Sequence, residues 1–391
     1  MKKNLMALAA LTLCAGVAQA QSSVTLYGVL DSDVASTTTA GVVGTGATAT
    51  IKSISQTQVR TDGLSGNRWG LRGREELGGG LGVIFNIESG FNVDAGSSSQ
   101  GGVLFGRRAN MGLTGGFGKV ELGRNSSPYD DVAADHSMMG MSSFDPSNYN
   151  TGPSTLAAAA VLDPAALAKE PGMAAIFAPY AIGPRVTTWL GYGTRFNNSI
   201  KYSSPNLNGL TASVLYAFGE DATASLGASQ SVSAHVKFVN GSWLVSAGYQ
   251  SEAAAASVTA TTAPALQNTL LSVVYDFGVA KAGMGFNRAA YKDVTVAATG
   301  VAFAAQTGWD LSVAVPLGVT TLSCNYAMSD GDTLGQSRGF GVQALYALSK
   351  RTTLYVGGVS TQLFDKLVAA APVGSDIQRN SLYAAGVRHT F

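Results

Sequence analysis

The chain has 391 residues, of which 46% are hydrophobic and only 13% charged, with 48 glycines. Its 25 basic and 24 acidic side chains nearly cancel, which argues against nucleic acid as a partner. Past the first 20 residues no run approaches the roughly 18 uninterrupted apolar residues of a membrane-spanning helix. A closed β-barrel is then the remaining way to cross a bilayer, because lipid cannot satisfy open backbone groups.

The first element is a leader. Lys2 and Lys3 open it, Leu5 to Val17 is almost wholly apolar, and Ala18-Gln19-Ala20 has the small-x-small form of a cleavage site. Residues 1–20 are therefore read as a signal peptide and 21–391 as one transmembrane β-barrel domain. Cys14 leaves with the leader, so Cys324 has no internal disulfide partner and reads as a plain strand residue.

Alternation of apolar and polar side chains then marks 16 strands in chain order. They are Val24 to Asp33, Arg68 to Glu76, Leu81 to Phe91, Val103 to Thr114, Lys119 to Gly123, Arg195 to Ser203, Leu210 to Phe218 and Ser231 to Val239. The second half is Trp243 to Ser251, Asn268 to Phe277, Ala280 to Arg288, Thr307 to Pro316, Val319 to Met328, Gly339 to Leu348, Thr352 to Gln362 and Ser381 to Phe391. The connections alternate between tight turns, such as Asn240-Gly241-Ser242 and Leu317-Gly318, and long polar loops, such as Val34 to Asn67 and Arg124 to Thr194. That alternation fits an even-stranded barrel with short turns on one side and long loops on the other.

The last strand separates the faces. Tyr383, Ala385, Val387, His389 and Phe391 share the lipid side, which leaves Arg388 in the lumen. The same parity on the second strand, with Trp69 and Leu71 outward, turns Arg68, Arg72 and Arg74 inward. On the sixth strand, Ile200 and Tyr202 outward turns Arg195, Asn197, Ser199 and Lys201 inward. On the fourth, Met111 and Leu113 outward would place Arg108 in the lumen.

Several stretches in one order resemble the Gram-negative general porins, of the β-proteobacterial and neisserial type. They are Ser22 to Asp31, Arg68-Trp69-Gly70-Leu71-Arg72-Gly73-Arg74-Glu75-Glu76-Leu77-Gly78, Phe105-Gly106-Arg107-Arg108-Ala109 with Gly115-Gly116-Phe117-Gly118, Asn197 to Pro205, and the terminal Phe391. The resemblance implies an all-β, 16-stranded antiparallel transmembrane barrel, assembled as a homotrimer in the cell outer membrane, with a long third loop folded into each pore. It implies Phe391 as the signal read by the barrel-assembly machinery. It favours Arg107 over Arg108 as the pore arginine, with Arg108 on the other face. The third-loop segment, about 124–194, is longer than expected, and Ala157 to Ala160 and Ala165 to Lys169 suit short helices.

A pore works by its width and by the field across its narrowest section. The expected basic wall is Arg68, Arg72, Arg74, Arg107 and Arg195. The expected acidic side is Asp130, Asp131, Asp135 and Asp145 on the third loop, with Asp135 or Asp145 facing Arg68, Arg107 and Arg195. The resulting function is passive diffusion of small hydrophilic solutes and ions, leaning weakly to anions. The alternatives are a solute-selective channel, for which Tyr129, Tyr149 and Tyr180 are the hint, and an adhesin or enzyme on a barrel. Enzyme, metal and cofactor readings find no support: His136, His235 and His389 are scattered and show no ligand spacing.

Overall fold

The structure, a computed structural model, describes residues 23–43, 50–148, 192–255, 258–259, 263–293, 302, 304–366, 374 and 379–391. The leader, the two alanine-rich stretches, Tyr149 and Tyr180 lie outside these residues. The strands are β1 (Ser23–Val43), β2 (Thr50–Thr61), β3 (Arg68–Gly78), β4 (Leu81–Gly90), β5 (Arg108–Gly115), β6 (Gly118–Ser126), β7 (Arg195–Ser203), β8 (Leu210–Phe218) and β9 (Gln230–Asn240). They continue as β10 (Trp243–Ala253), β11 (Ala265–Asp276), β12 (Lys281–Lys292), β13 (Gln306–Leu317), β14 (Thr320–Asp330), β15 (Ser337–Ala347), β16 (Thr352–Gln362) and β17 (Arg379–Thr390). One short helix, α1 (Pro128–Ala133), follows β6.

Every neighbouring pair is antiparallel, and β17 returns to β1 from Val29↔Thr390 to Thr38↔Ser381, which closes the barrel. Closure removes every sheet edge from the lipid. There are 16 positions around the barrel and 17 strands, because β1 pairs with two strands in succession. Its residues 23–29 pair with β3 and its residues 32–43 with β2.

The extra strand corrects the expectation of a loop from Val34 to Asn67. Thr37, Thr38, Thr39, Ser53, Ser55 and Thr57 put hydroxyls on both faces, so no alternation shows. Their β-branched side chains still favour extended backbone. The fourth expected strand starts at Arg108 rather than Val103. Three strands, β7, β8 and β16, match their expected bounds residue for residue.

The barrel is inside out relative to a soluble protein. Outward positions carry Val, Leu and aromatic side chains, and the buried polar set is rich in Ser, Asn and Gln. One aromatic girdle includes Trp243, Tyr275 and Phe277, with successive ring centroids 4.6 Å apart. The other includes Trp309 and Tyr326, 5.6 Å apart, with Phe340 and Tyr383 exposed nearby. The Asn240-Gly241 turn needs positive φ, and Gly241 supplies it at 56°.

The seam depends on one close approach. Gly28 and Phe391 exchange two backbone hydrogen bonds of 3.1 Å, and the Phe391 ring lies where a Cβ on Gly28 would sit, 2.3 Å away. Gly28→Val must push that ring off the seam, an overpacking cost of about 1–3 kcal/mol. The folded form of the variant should therefore be lost at lower temperature in heat-modifiable electrophoresis, and an unchanged transition would refute this packing.

Residues 127–148 pack against inward-facing residues of β9 to β16. Tyr129 N donates to Ser233 Oγ at 2.9 Å, Ser142 Oγ donates to Gln343 Oε1 at 2.8 Å, and Phe144 stacks edge-on with Tyr355 at 5.9 Å. The wall is glycine where the segment touches it: Cβ atoms on Gly283 and Gly341 would lie 2.1 Å from His136 O and 1.9 Å from Phe144 O. At Gly357 a Cβ would lie 2.7 Å from the Phe144 ring.

Candidate pore constriction

One register row brings the site together. Tyr27 of β1 pairs with Gly70 of β3, which pairs with Glu88 of β4. Gly70 has no side chain, so the Tyr27 ring lies across it and reaches β4. The Tyr27 hydroxyl donates to Glu88 Oε2 at 2.8 Å and also meets Asn86 Oδ1 at 2.9 Å.

Arginines surround Glu88. Arg107 Nε donates to Glu88 Oε1 at 2.6 Å, and Arg68 Nε stands 3.9 Å from Oε2. Arg68 Nη1 also donates to Gly66 O at 2.7 Å, and the Arg72 guanidinium lies 5.1 Å from the centre of the Tyr27 ring. Arg108, Arg195 and Arg388 complete the ring around a cavity of about 550 Å³, which holds six arginines and two side-chain carboxyls, Glu88 and Asp130.

Asp130 enters the cavity from α1. The helix is capped by Ser127, whose Oγ accepts from Asp130 N at 3.0 Å, and Pro128 occupies its first turn. Tyr192 donates to Asp130 Oδ1 at 3.1 Å. Burial holds the Asp130 carboxyl above the usual carboxylate range, and Arg195 partly opposes that.

Four of the five expected basic residues, Arg68, Arg72, Arg107 and Arg195, share this cavity. Arg74 does not: it is exposed at the end of β3 and pairs with Glu76. Arg107 precedes β5, where strand parity has no force, and it reaches the lumen through Glu88. Arg108 lines the same cavity, which corrects its assignment to the other face.

Of the four expected acids only Asp130 lines it. Asp131 pairs with Lys201 at 2.5 Å and Asp135 with Lys237 at 2.7 Å. Asp145 is buried, accepting from Ser147 N at 2.9 Å and Asn325 Nδ2 at 2.9 Å. The opposition of Asp135 or Asp145 to Arg68, Arg107 and Arg195 is therefore absent; those acids fasten the segment to the wall instead.

Asn197 is also corrected. The β6–β7 ladder shifts register between Gly123 and Asn125, Asn198 has φ 47°, and Asn197 and Asn198 are both exposed. Phe196 turns inward in its place, against Leu215 and Ala217. Glu88 and Tyr27 were missed as site residues, while Arg108 lines the cavity as its strand parity indicated. The signal for Glu88 was a lone carboxylate on the strand that follows Arg68 and Arg72.

A second polar knot lies beside the cavity. Asp31 accepts from Gly63, Leu64 and Ser65 N–H groups at 2.8–3.2 Å and from the Tyr355 hydroxyl at 2.6 Å. It draws residues 62–67 inward, and Ser143 N donates to Gly63 O at 2.8 Å. His235 Nδ1 is bound to Pro128 O at 2.8 Å and His389 Nδ1 to Thr352 Oγ1 at 2.9 Å. No group of three or more His, Cys, Asp or Glu side chains that could hold a metal occurs among the described residues.

Comparison with known proteins agrees with this architecture. Outer membrane porin protein 32 of Delftia acidovorans is 30% identical over 407 aligned residues, covering 99% of this chain and 95% of that protein. Among solved structures, the anion-selective porin from Comamonas acidovorans superposes with a TM-score of 0.68 at 24% identity, over 95% of this chain and 100% of that one. The trimer form of OmpT of Vibrio cholerae does so at 0.56 and 14%, over 95% and 99%. The family model for Gram-negative porins matches residues 7–363. A closed barrel with an apolar exterior and a charged, polar lumen, matched over nearly its whole length, makes this chain a member of the Gram-negative porin family of the outer membrane.

Proposed function

We propose that this porin is a passive diffusion channel with a weak anion preference set by the cavity of Arg68, Arg72, Arg107, Arg108, Arg195 and Arg388. The observation that carries it is the imbalance of six arginines against two side-chain carboxyls lining this cavity. In a confined aqueous path such an excess raises the local anion concentration. The similar fold of a porin described as anion-selective supports the same reading.

Residues 127–148 narrow the path, carrying Asp130 into it. The channel works as a homotrimer, by analogy with the trimeric OmpT fold, with residues 1–20 as the cleaved leader and Phe391 as the signal to the assembly machinery. Lipid covers its outer band, and small hydrophilic solutes and ions are its cargo. The relatives are channels rather than enzymes, and no catalytic step is assigned. Tyr129 is buried and bonded to Asn287, so it offers no aromatic slide to a selective substrate.

Reversal potentials in planar bilayers across a KCl gradient test the preference, and liposome swelling with graded sugars tests the passive pathway. A cation-selective potential sinks the first part; swelling by one sugar class alone sinks the second.

A further inference from the structure

Asp310 is the only buried charged side chain on β11 to β15 among the described residues. Its Oδ2 meets His136 Nδ1 at 2.7 Å, and both side chains are fully buried. The backbone around His136 is seated on the same strand: His136 O accepts from Ser312 Oγ at 2.8 Å, and Met138 N donates to Ser312 Oγ at 3.0 Å. Neighbouring β12 places Gly283 against the His136 carbonyl, and β14 contributes neutral Asn325 to Asp145. Asp145, on the segment itself, is the other charge acting on the imidazole.

Burial alone would keep this imidazole neutral. Asp310, then Asp145, overcomes burial and leaves the His136 pKa above the usual histidine value. The pair therefore favours the charged imidazole more than water does. Deprotonating it would leave the Asp310 carboxylate buried and uncompensated.

We propose that the His136–Asp310 ion pair is the positioning latch of the pore: it holds residues 127–148 on the wall across from the arginine cavity, and loss of charge on either member frees the segment into the water path. The latch rests on the reading that this segment narrows the pore. It acts through the segment, which also carries Asp130, and touches no permeating solute itself. Because the shift is upward, the latch holds while the imidazole is charged and opens as pH rises through the folded-state value.

Single-channel recording of the full protein in planar bilayers, from neutral to alkaline buffer, tests it. Wild-type current should be quiet at neutral pH and gain open-channel noise as pH rises. Asp310→Asn should show several-fold greater current variance already at neutral pH. His136→Gln should be equally noisy and lack the pH step. The charge-reversed pair, His136→Asp with Asp310→His, should restore quiet current and the step.

Single variants as quiet as wild type, with the same pH profile and an intact heat-modifiable fold, would overturn the latch. Should the variants fail to fold, the wild-type titration decides, and a flat noise profile overturns it. The underlying reading fails separately: it falls if Gly341→Val leaves the conductance unchanged. An enlarged Gly341→Val conductance beside a quiet Asp310→Asn channel removes only the latch.

Discussion

Replacing Arg68 and Arg107 together with alanine should lower the anion-to-cation permeability ratio about fivefold, an estimate that follows from screened Coulomb energies. An arginine roughly 8 Å from the ion path, in water-like dielectric, favours an anion and disfavours a cation by about 0.5 kcal/mol each. At about 0.1 M salt, screening roughly halves that difference. Two charges then contribute about 1 kcal/mol to discrimination, which is close to fivefold in partition. Glu88→Gln should move the reversal potential the opposite way. It removes the carboxylate from among the arginines while keeping an acceptor for the Tyr27 hydroxyl. Both shifts should shrink at high salt. An unchanged reversal potential in the double alanine variant, or the same direction of shift in both variants, would remove the arginine cavity from the account of selectivity.

Which arginines share the cavity follows partly from parity. Arg68 and Arg72 were legible because Trp69 is large and apolar and fixes the outward face of β3. The 16 barrel strands were legible for the same reason, since lipid and water demand opposite side chains at successive positions. Where that demand lapses, the pattern lapses. The hydroxyl-rich run around Thr37 to Thr39 faces no lipid requirement, so the second half of β1 and all of β2 looked like a loop. Alternation puts Arg108 in the lumen correctly and the resemblance moves it out, whereas Asn197 sits at a register shift, where alternation misassigns it.

The loop acids were legible as a set and illegible one by one. Nothing local distinguishes Asp130, which enters the arginine cavity, from Asp131, one residue later and bound to Lys201. The turn of α1 separates them, and only the barrel supplies their partners. The inward strand glycines are the overlooked signal. An inward position in a wide barrel has room for a side chain, so glycine at 283, 341 and 357 has no steric origin within the wall itself. The reason is the segment lying on it, whose backbone and Phe144 ring occupy the missing Cβ positions.

That explanation makes a prediction with a large effect. Gly341→Val should raise single-channel conductance and admit larger sugars in liposome swelling. A valine Cβ at 341 would fall 1.9 Å from the carbonyl oxygen of Phe144 and 3.1 Å from Pro146 Cδ. The first contact is with backbone, so no rotamer change relieves it. The β15 backbone is fixed on both sides by β14 and β16 ladders, so the segment is the element that moves. Valine suits an extended strand, so the barrel itself should still assemble. Loss of the Phe144 seat costs the segment more than the roughly 1–3 kcal/mol of ordinary overpacking. Val342→Ala, one residue later and facing lipid, is the control that should leave conductance unchanged. A Gly341→Val channel of wild-type conductance and size cutoff would mean that residues 127–148 do not limit the path.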